Sequence, residues 1–227
     1  MDVIRPPQSF FFKGQLLHLL LLVALLAGSF WFIDYKKLET ITRAWFFACI
    51  AIPVIHQVYV WLTWRSELCF TAISKERFAT YGVVFMVLLI SRPLAVLGLA
   101  VSNQGSVVLP VAVRIVIPIL LAIPAIYTFY SVARYFSISR AMGIDHFDPA
   151  YRNAPLVRDG IFGWTHNAMY IFGFFIFWVI AFAFSSRAAF VAAAFSHTYI
   201  WVHYFCTEKP DMEFIYGENG SCDDPGN

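Results

Sequence analysis

What most constrains this chain is a succession of apolar runs about as long as a bilayer is thick. A helix needs about 20 mostly apolar residues to cross the hydrocarbon. Six stretches approach or reach that length: approximately Gln15 to Ile33, Ala44 to Thr63, Thr80 to Val101, Val107 to Tyr130, Met169 to Phe184 and Ala188 to Cys206. The expected fold is therefore an all-α, polytopic membrane protein with about six transmembrane helices. The last two runs are short and joined only by Ser185-Ser186-Arg187, which predicts a tight C-terminal helical hairpin. The first run is long enough to span and is followed at once by "DYKKLET", so it reads as a span rather than a cleavable signal.

Little polar sequence remains between the runs. The chain is 60% hydrophobic and 13% charged, against about 45–50% and 25% for a soluble domain. Residues 1–227 are thus expected to form one integral membrane domain, with 218–227, "NGSCDDPGN" preceded by Glu218, as a disordered tail. A net charge of +2 spread over loops gives no reason to expect nucleic acid as a partner. Cys49, Cys69, Cys206 and Cys222 form no CxxC pair and read as small packing residues. The histidines show no i,i+4 metal pair, so no metal is expected.

Charge placement gives an orientation, because cytoplasmic loops carry the Lys and Arg excess. In a six-span arrangement Arg5, Lys13, Arg65, Lys75, Arg77, Arg134, Arg140, Arg152, Arg158 and Lys209 share one side. Lys36, Lys37, Arg43 and Arg187 lie on the other. Both termini are expected in the cytoplasm, with the segment from about Ser131 to Ala168 and the segment after Cys206. On that side "NGS" at Asn219 would not be glycosylated.

The Ser131 to Ala168 connection is long for a compact membrane domain, and long connections tend to be functional. It carries four arginines, three aspartates and two histidines. It ends in Thr165-His166-Asn167 at the mouth of "IFGFFIFWVIAFAF", fourteen residues without a charge. Past the hairpin, Glu208 lies two residues beyond the last apolar run. An antiparallel hairpin returns the chain to the side it left, so Tyr170 and Glu208 are expected to be neighbours. Residues 131–217 are the expected catalytic part.

At these residues the chain resembles the integral-membrane methyltransferases of the isoprenylcysteine carboxyl methyltransferase and phosphatidylethanolamine N-methyltransferase group. Their first motif, G-x-Y-x-x-x-R-H-P-x-Y-x-G, is met by Gly160, Phe162, His166-Asn167-Ala168 and Tyr170, with Phe172 in place of the last Gly. The second, E-E-x-x-L-x-x-x-F-G, is met by Glu208, Lys209, Met212, Tyr216 and Gly217. The phospholipid enzymes are closer in wording: their Asn-Pro-Met-Tyr is met here by "NAMY", and their E-E-P followed by I-Y by "EKP" and "IY". Arg-His-Pro and the second Glu are departures from the pattern.

The resemblance implies S-adenosylmethionine as cofactor, held by Gly160, His166, Asn167, Tyr170 and Glu208, with Tyr170 and Glu208 as the catalytic pair. A ligand with an ammonium, a carboxylate, a sulfonium and an adenine asks for a carboxylate, hydrogen-bond groups and aromatic faces. Arg140, Arg152, Arg158 and Lys209 are the expected substrate-binding residues for the phosphate or carboxylate of a membrane lipid or prenylated substrate. The acceptor stays open between a phospholipid amine and a prenylcysteine carboxylate. Two alternatives remain: an NADPH-dependent membrane reductase, and a catalytically silent membrane binding or scaffold protein. Belt aromatics would explain Trp164 and Tyr170, and a helix cap would explain Thr165 or Asn167.

Two arginines fall inside apolar runs: Arg92 before Pro93, and Arg114 in a run broken by Pro110, Pro118 and Pro124. Such charges mark function by default. Prolines also free backbone carbonyls that arginine can bond, and that structural role is the preferred expectation, with an anionic lipid group as the alternative partner.

Overall fold

The computed structural model of the chain describes residues 5–70, 75–151, 155 and 157–217. These described residues form helices and no strands, in the order α1 (Gln15–Phe32), α2 (Thr40–Cys69), α3 (Lys75–Ser102), α4 (Val111–Ser131), a short α5 (Ile138–Ala141), α6 (Phe175–Phe184), α7 (Arg187–His203) and α8 (Lys209–Tyr216). The all-α expectation is met. Four helical stretches are long and apolar enough to cross a membrane: Gln8–Phe32, Thr40–Cys69, Glu76–Ser102 and Val111–Phe136. The shorter Met169–Phe184 stretch pairs with α7 as the hairpin. The tail at 218–227 lies outside the described residues.

The boundaries differ from the hydropathy runs for local reasons. Helix α2 extends well past Thr63 to Cys69, because Arg65 and Glu67 in its last turns are buried and paired rather than solvated. Helix α4 begins at Val111 rather than Val107, since Pro110 stands at its N-cap with extended backbone and has no N–H to continue a helix backwards.

Helix α7 occupies the middle of the bundle and packs on α1, α2, α3 and α6. Ala188, Ala189, Ala192 and Ala193 make this possible: all four are fully buried, and small side chains let helix backbones approach closely where lipid offers no hydrophobic drive. Around them Phe46, Ile50, Leu99, Phe177 and Phe195 complete the main core. Helix α1, by contrast, buries only His18 and Ser29. Leu16, Leu17, Leu19 and Leu20 face outward, as expected of a span whose solvent is lipid, while Leu22, Leu25 and Leu26 pack against the core.

The hairpin tip is pinned by polar bonds. Ser185 adopts the left-handed region at φ 50° and Ser186 caps α7 by accepting from the Ala189 N–H. The Asn103 side-chain oxygen accepts from Ser186 Oγ at 3.0 Å and the Ala188 N–H at 3.1 Å. Arg187 reaches the carbonyl of Phe32 at 3.0 Å. The end of α1, the α3–α4 connection and the hairpin tip therefore gather at one end of the bundle, and the polar loop gathers at the other.

Candidate active site

Two π turns bring the site residues together. One, Met169–Gly173, leads into α6 and carries Tyr170; the other, Tyr204–Glu208, continues α7 and ends in Glu208. Such widened turns recur at functional sites, because they re-aim side chains that a regular helix would direct elsewhere. Across the hairpin the Tyr170 hydroxyl donates a hydrogen bond to Oε2 of Glu208. The Tyr170 ring is held by Tyr204, at 5.4 Å between centroids, and by Trp201 edge-on at 5.9 Å.

Burial pushes the Glu208 carboxyl up to about 7; the Tyr170 hydrogen bond and His146 oppose the rise, and Asp145 and Asp211 add to it. The residue nonetheless keeps some accessible surface. A cavity reconciles the two observations, because Glu208 and Tyr170 both stand in its wall. The cavity holds about 490 Å³, within the range of about 300–1,000 Å³ for small-molecule sites. Its lining is mainly apolar, with His56, Gln57, Arg92, Thr128 and His203 as the other polar groups.

This cavity opens sideways. Helices α3 and α4 both pack on α6 but not closely on each other. Leu89 and Ile90 on α3 and Phe129 on α4 line the cavity and are 40%, 53% and 51% exposed. An apolar amphiphile can thus enter from the bilayer face without crossing a polar loop.

Next to the cavity lies a buried charged cluster that sequence reasoning missed. Arg65, fully buried, pairs with the fully buried Asp211 of α8 at 2.5 Å, and donates to the carbonyls of Phe10 and Thr207. His146 lies between Asp211 at 3.4 Å and Asp145 at 3.6 Å, stacked on Trp64 at 4.1 Å. Tyr216 donates to Asp145 at 2.8 Å. Burial alone would depress the His146 imidazole, but the carboxylates of Asp145 and Asp211 outweigh it and hold it up to about 9. Burial would raise Asp145, and the His146 and Tyr216 contacts bring it below its ordinary value instead. The cluster ties the end of α2, the start of α8, the N-terminal turn and the polar loop together beside the cavity. One available signal was "DHFD" among aromatics; the other was Arg65 at the foot of an apolar run.

The other expected site residues are dispersed. His166 is exposed and Asn167 half-buried; neither lines the cavity. The Asn167 carbonyl accepts from the Tyr170 and Ile171 N–H groups, so it serves the start of the π turn. Gly160 answers to packing: at φ +61° a Cβ there would sit 2.7 Å from Ser131 Oγ and 2.8 Å from the Tyr135 ring, and the Ile161 N–H bonds that same Oγ. Arg140 donates to the Pro155 carbonyl at 3.1 Å and lies over the Phe136 ring. Arg158 is exposed and Lys209 half-buried at the start of α8. Arg152 lies outside the described residues.

The expectation for Arg92 needs correction. Among the described residues its Nε and Nη2 have no hydrogen-bond partner, so they do not satisfy proline-freed carbonyls. The guanidinium instead lies over the Phe174 and Phe177 rings at 4.9 and 5.6 Å.

Comparison with known proteins bears on the same part of the chain. Residues 113–219 match the family model of phospholipid methyltransferases. No curated protein and no solved structure matches the chain significantly. The matched segment contains the hairpin, both π turns, Tyr170 and Glu208, and over it this membrane protein is similar to phospholipid methyltransferases.

Proposed function

We propose that the chain is an S-adenosylmethionine-dependent methyltransferase of a phospholipid amine, with the cofactor in the cavity walled by Tyr170 and Glu208. The observation that carries this reading is the Tyr170–Glu208 contact in the wall of a largely apolar cavity that opens between α3 and α4. The residues present fit the group: a carboxylate for its ammonium, Tyr170 and Trp64 rings in the lining, and a volume suited to a small molecule.

When bound, the cofactor supplies an electrophilic methyl on a sulfonium. Glu208 offers the counter-charge that fixes the ammonium end, and Tyr170 holds that carboxylate in one orientation. The apolar lining excludes water, so alignment of the reacting groups contributes several kcal/mol that solution would withhold. An ethanolamine-type amine must shed a proton before attack. With an ordinary value near 10, that costs roughly 4 kcal/mol at pH 7. Burial in the apolar cavity favours the neutral amine, so this proton is left to bulk water on entry. The charge asymmetry supports a cytoplasmic site, with both termini on the same side.

The test uses purified protein in phospholipid nanodiscs with methyl-labelled S-adenosylmethionine. Label is expected on phosphatidylethanolamine. Label only on an added prenylcysteine carboxylate, or no transfer by folded protein that binds the cofactor, contradicts the reading.

A further inference from the structure

The cavity contains a polar group that the methyl-transfer chemistry leaves unused. Arg92 is 3% exposed, lies midway along α3 and lines the cavity. Two of its N–H-bearing nitrogens have no partner, and its visible support is the two phenylalanine faces. His56, 2% exposed, lines the same wall with both ring nitrogens unpartnered, within electrostatic reach of Arg92. Gln57, 3% exposed, stands beside it in sequence and in the lining. A guanidinium with no ion pair among the described residues, beside a histidine and a glutamine that can each donate, is arranged for an incoming anion.

The position of Arg92 distinguishes which anion. Phe174 and Phe177 follow Tyr170 by four and seven residues on one continuous helical stretch, or about 6 and 10 Å along its axis at 1.5 Å per residue. Arg92 therefore sits one to two turns deeper in the bundle than the Tyr170–Glu208 pair. A carboxylate on the same carbon as an ammonium paired with Glu208 does not reach it. In a phospholipid with an ethanolamine head, the phosphate lies two carbons and an oxygen from the amine, on the tail side. With the amine near Glu208, that phosphate points toward Arg92.

A place for the tails is also present. A groove on the outer face of α3, lined by Phe78, Gly82, Val83, Val87 and Leu94, shares Met86, Ile90 and Met142 with the cavity. This apolar path from the cavity to the bilayer favours a lipid over a free ion.

Resting on the proposed function for the acceptor's presence, we infer that Arg92, with His56 and Gln57, is the subsite that holds the phosphate of the phospholipid substrate. Arg92, His56 and Gln57 lie outside the matched family segment, so the subsite belongs to the N-terminal half of the chain.

The experiment measures lipid binding without methyl transfer. Wild-type protein and the variants Arg92→Gln and Arg92→Lys, in detergent, are titrated with dioleoyl phosphatidylethanolamine and with dioleoylglycerol, which has the same tails and no phosphate. Charge-assisted hydrogen bonds predict that the wild type prefers the phospholipid by roughly 10- to 100-fold. Arg92→Gln should abolish that preference, Arg92→Lys should retain part of it, and S-adenosylmethionine binding should stay within about twofold in both. Equal binding of the two lipids by the wild type overturns the inference even if Arg92→Gln does not fold. Loss of cofactor binding in Arg92→Gln with lipid preference intact reassigns the arginine to the cofactor. Competition by millimolar inorganic phosphate equal to that of the lipid shows a free-anion site instead. Failure of methyl transfer with the lipid preference intact counts against the proposed function alone.

Discussion

Tyr170 donates its hydroxyl hydrogen to Glu208 across 38 residues of sequence, and the two side chains wall the same cavity. Residues that share one ligand and bond one another couple energetically. In a double-mutant cycle of Tyr170→Phe and Glu208→Gln, the losses in S-adenosylmethionine binding should be non-additive by about 0.5–3 kcal/mol. Calorimetric titration of the four proteins measures this, and strict additivity argues for separate roles.

Cofactor affinity should also depend on pH, with the sign set by Glu208. Its carboxyl titrates near about 7, so it is largely neutral at pH 6 and ionised at pH 8. Pairing with an ammonium requires the ionised form. Affinity should therefore rise from pH 6 toward neutrality and fall again above about pH 8, where the ligand's α-ammonium loses its proton, and Glu208→Gln should remove the rise. A profile that is unchanged in this variant removes Glu208 from the site.

How much of this was legible in the sequence depends on the range of the interaction. Apolar runs act locally, so the helices and the hairpin could be read from length and composition. The Tyr170–Glu208 approach followed from the hairpin alone, because an antiparallel return admits few other neighbours. The cavity wall could not be read, since His56, Arg92 and His203 come from three helices whose rotation the pattern of hydropathy does not fix. The same holds for Asp211, which reads as a solvated charge past a span and is instead fully buried against Arg65. His166, a motif position, is exposed and does not line the cavity.

The Arg65–Asp211 pair gives a stability prediction. Removing one partner strands a buried charge, which costs about 3–5 kcal/mol. Asp211→Asn should lower the thermal midpoint markedly and open the C-terminal segment to protease, whereas the paired change Arg65→Met with Asp211→Leu should recover much of the loss. A single variant as stable as the wild type contradicts a fully buried pair.

His146 predicts a loss of stability toward alkaline pH. Its value in the fold is raised to about 9 above an ordinary 6.5. The protonated form therefore stabilises the native state, fully below about pH 6.5, and this contribution disappears as the pH rises through about 9. The window of Glu208, also raised, lies lower, between about 4.5 and about 7. Thermal midpoints between pH 7 and 9.5 should fall for the wild type and stay flatter for His146→Gln.

Gly160 is predicted to matter for packing rather than for ligand contact. Gly160→Ala places a side chain at φ +61° against Ser131 and Tyr135, a combination of strain and overlap that costs about 1–3 kcal/mol. The midpoint should drop, while cofactor affinity at a temperature where the protein is folded should be nearly unchanged. A selective loss of affinity would place Gly160 in the ligand site.

The central claim, that the cavity beside Tyr170 and Glu208 binds S-adenosylmethionine through the carboxylate, is tested most directly by equilibrium binding to purified protein in detergent. Wild type and Glu208→Gln are each titrated with S-adenosylmethionine and, in parallel, with NADPH. Loss of a buried charge partner predicts saturable binding of S-adenosylmethionine by the wild type, weakened at least about 100-fold in Glu208→Gln, and no NADPH binding by either. Equal affinity of the two folded proteins for S-adenosylmethionine, or binding of NADPH in its place, would contradict the account.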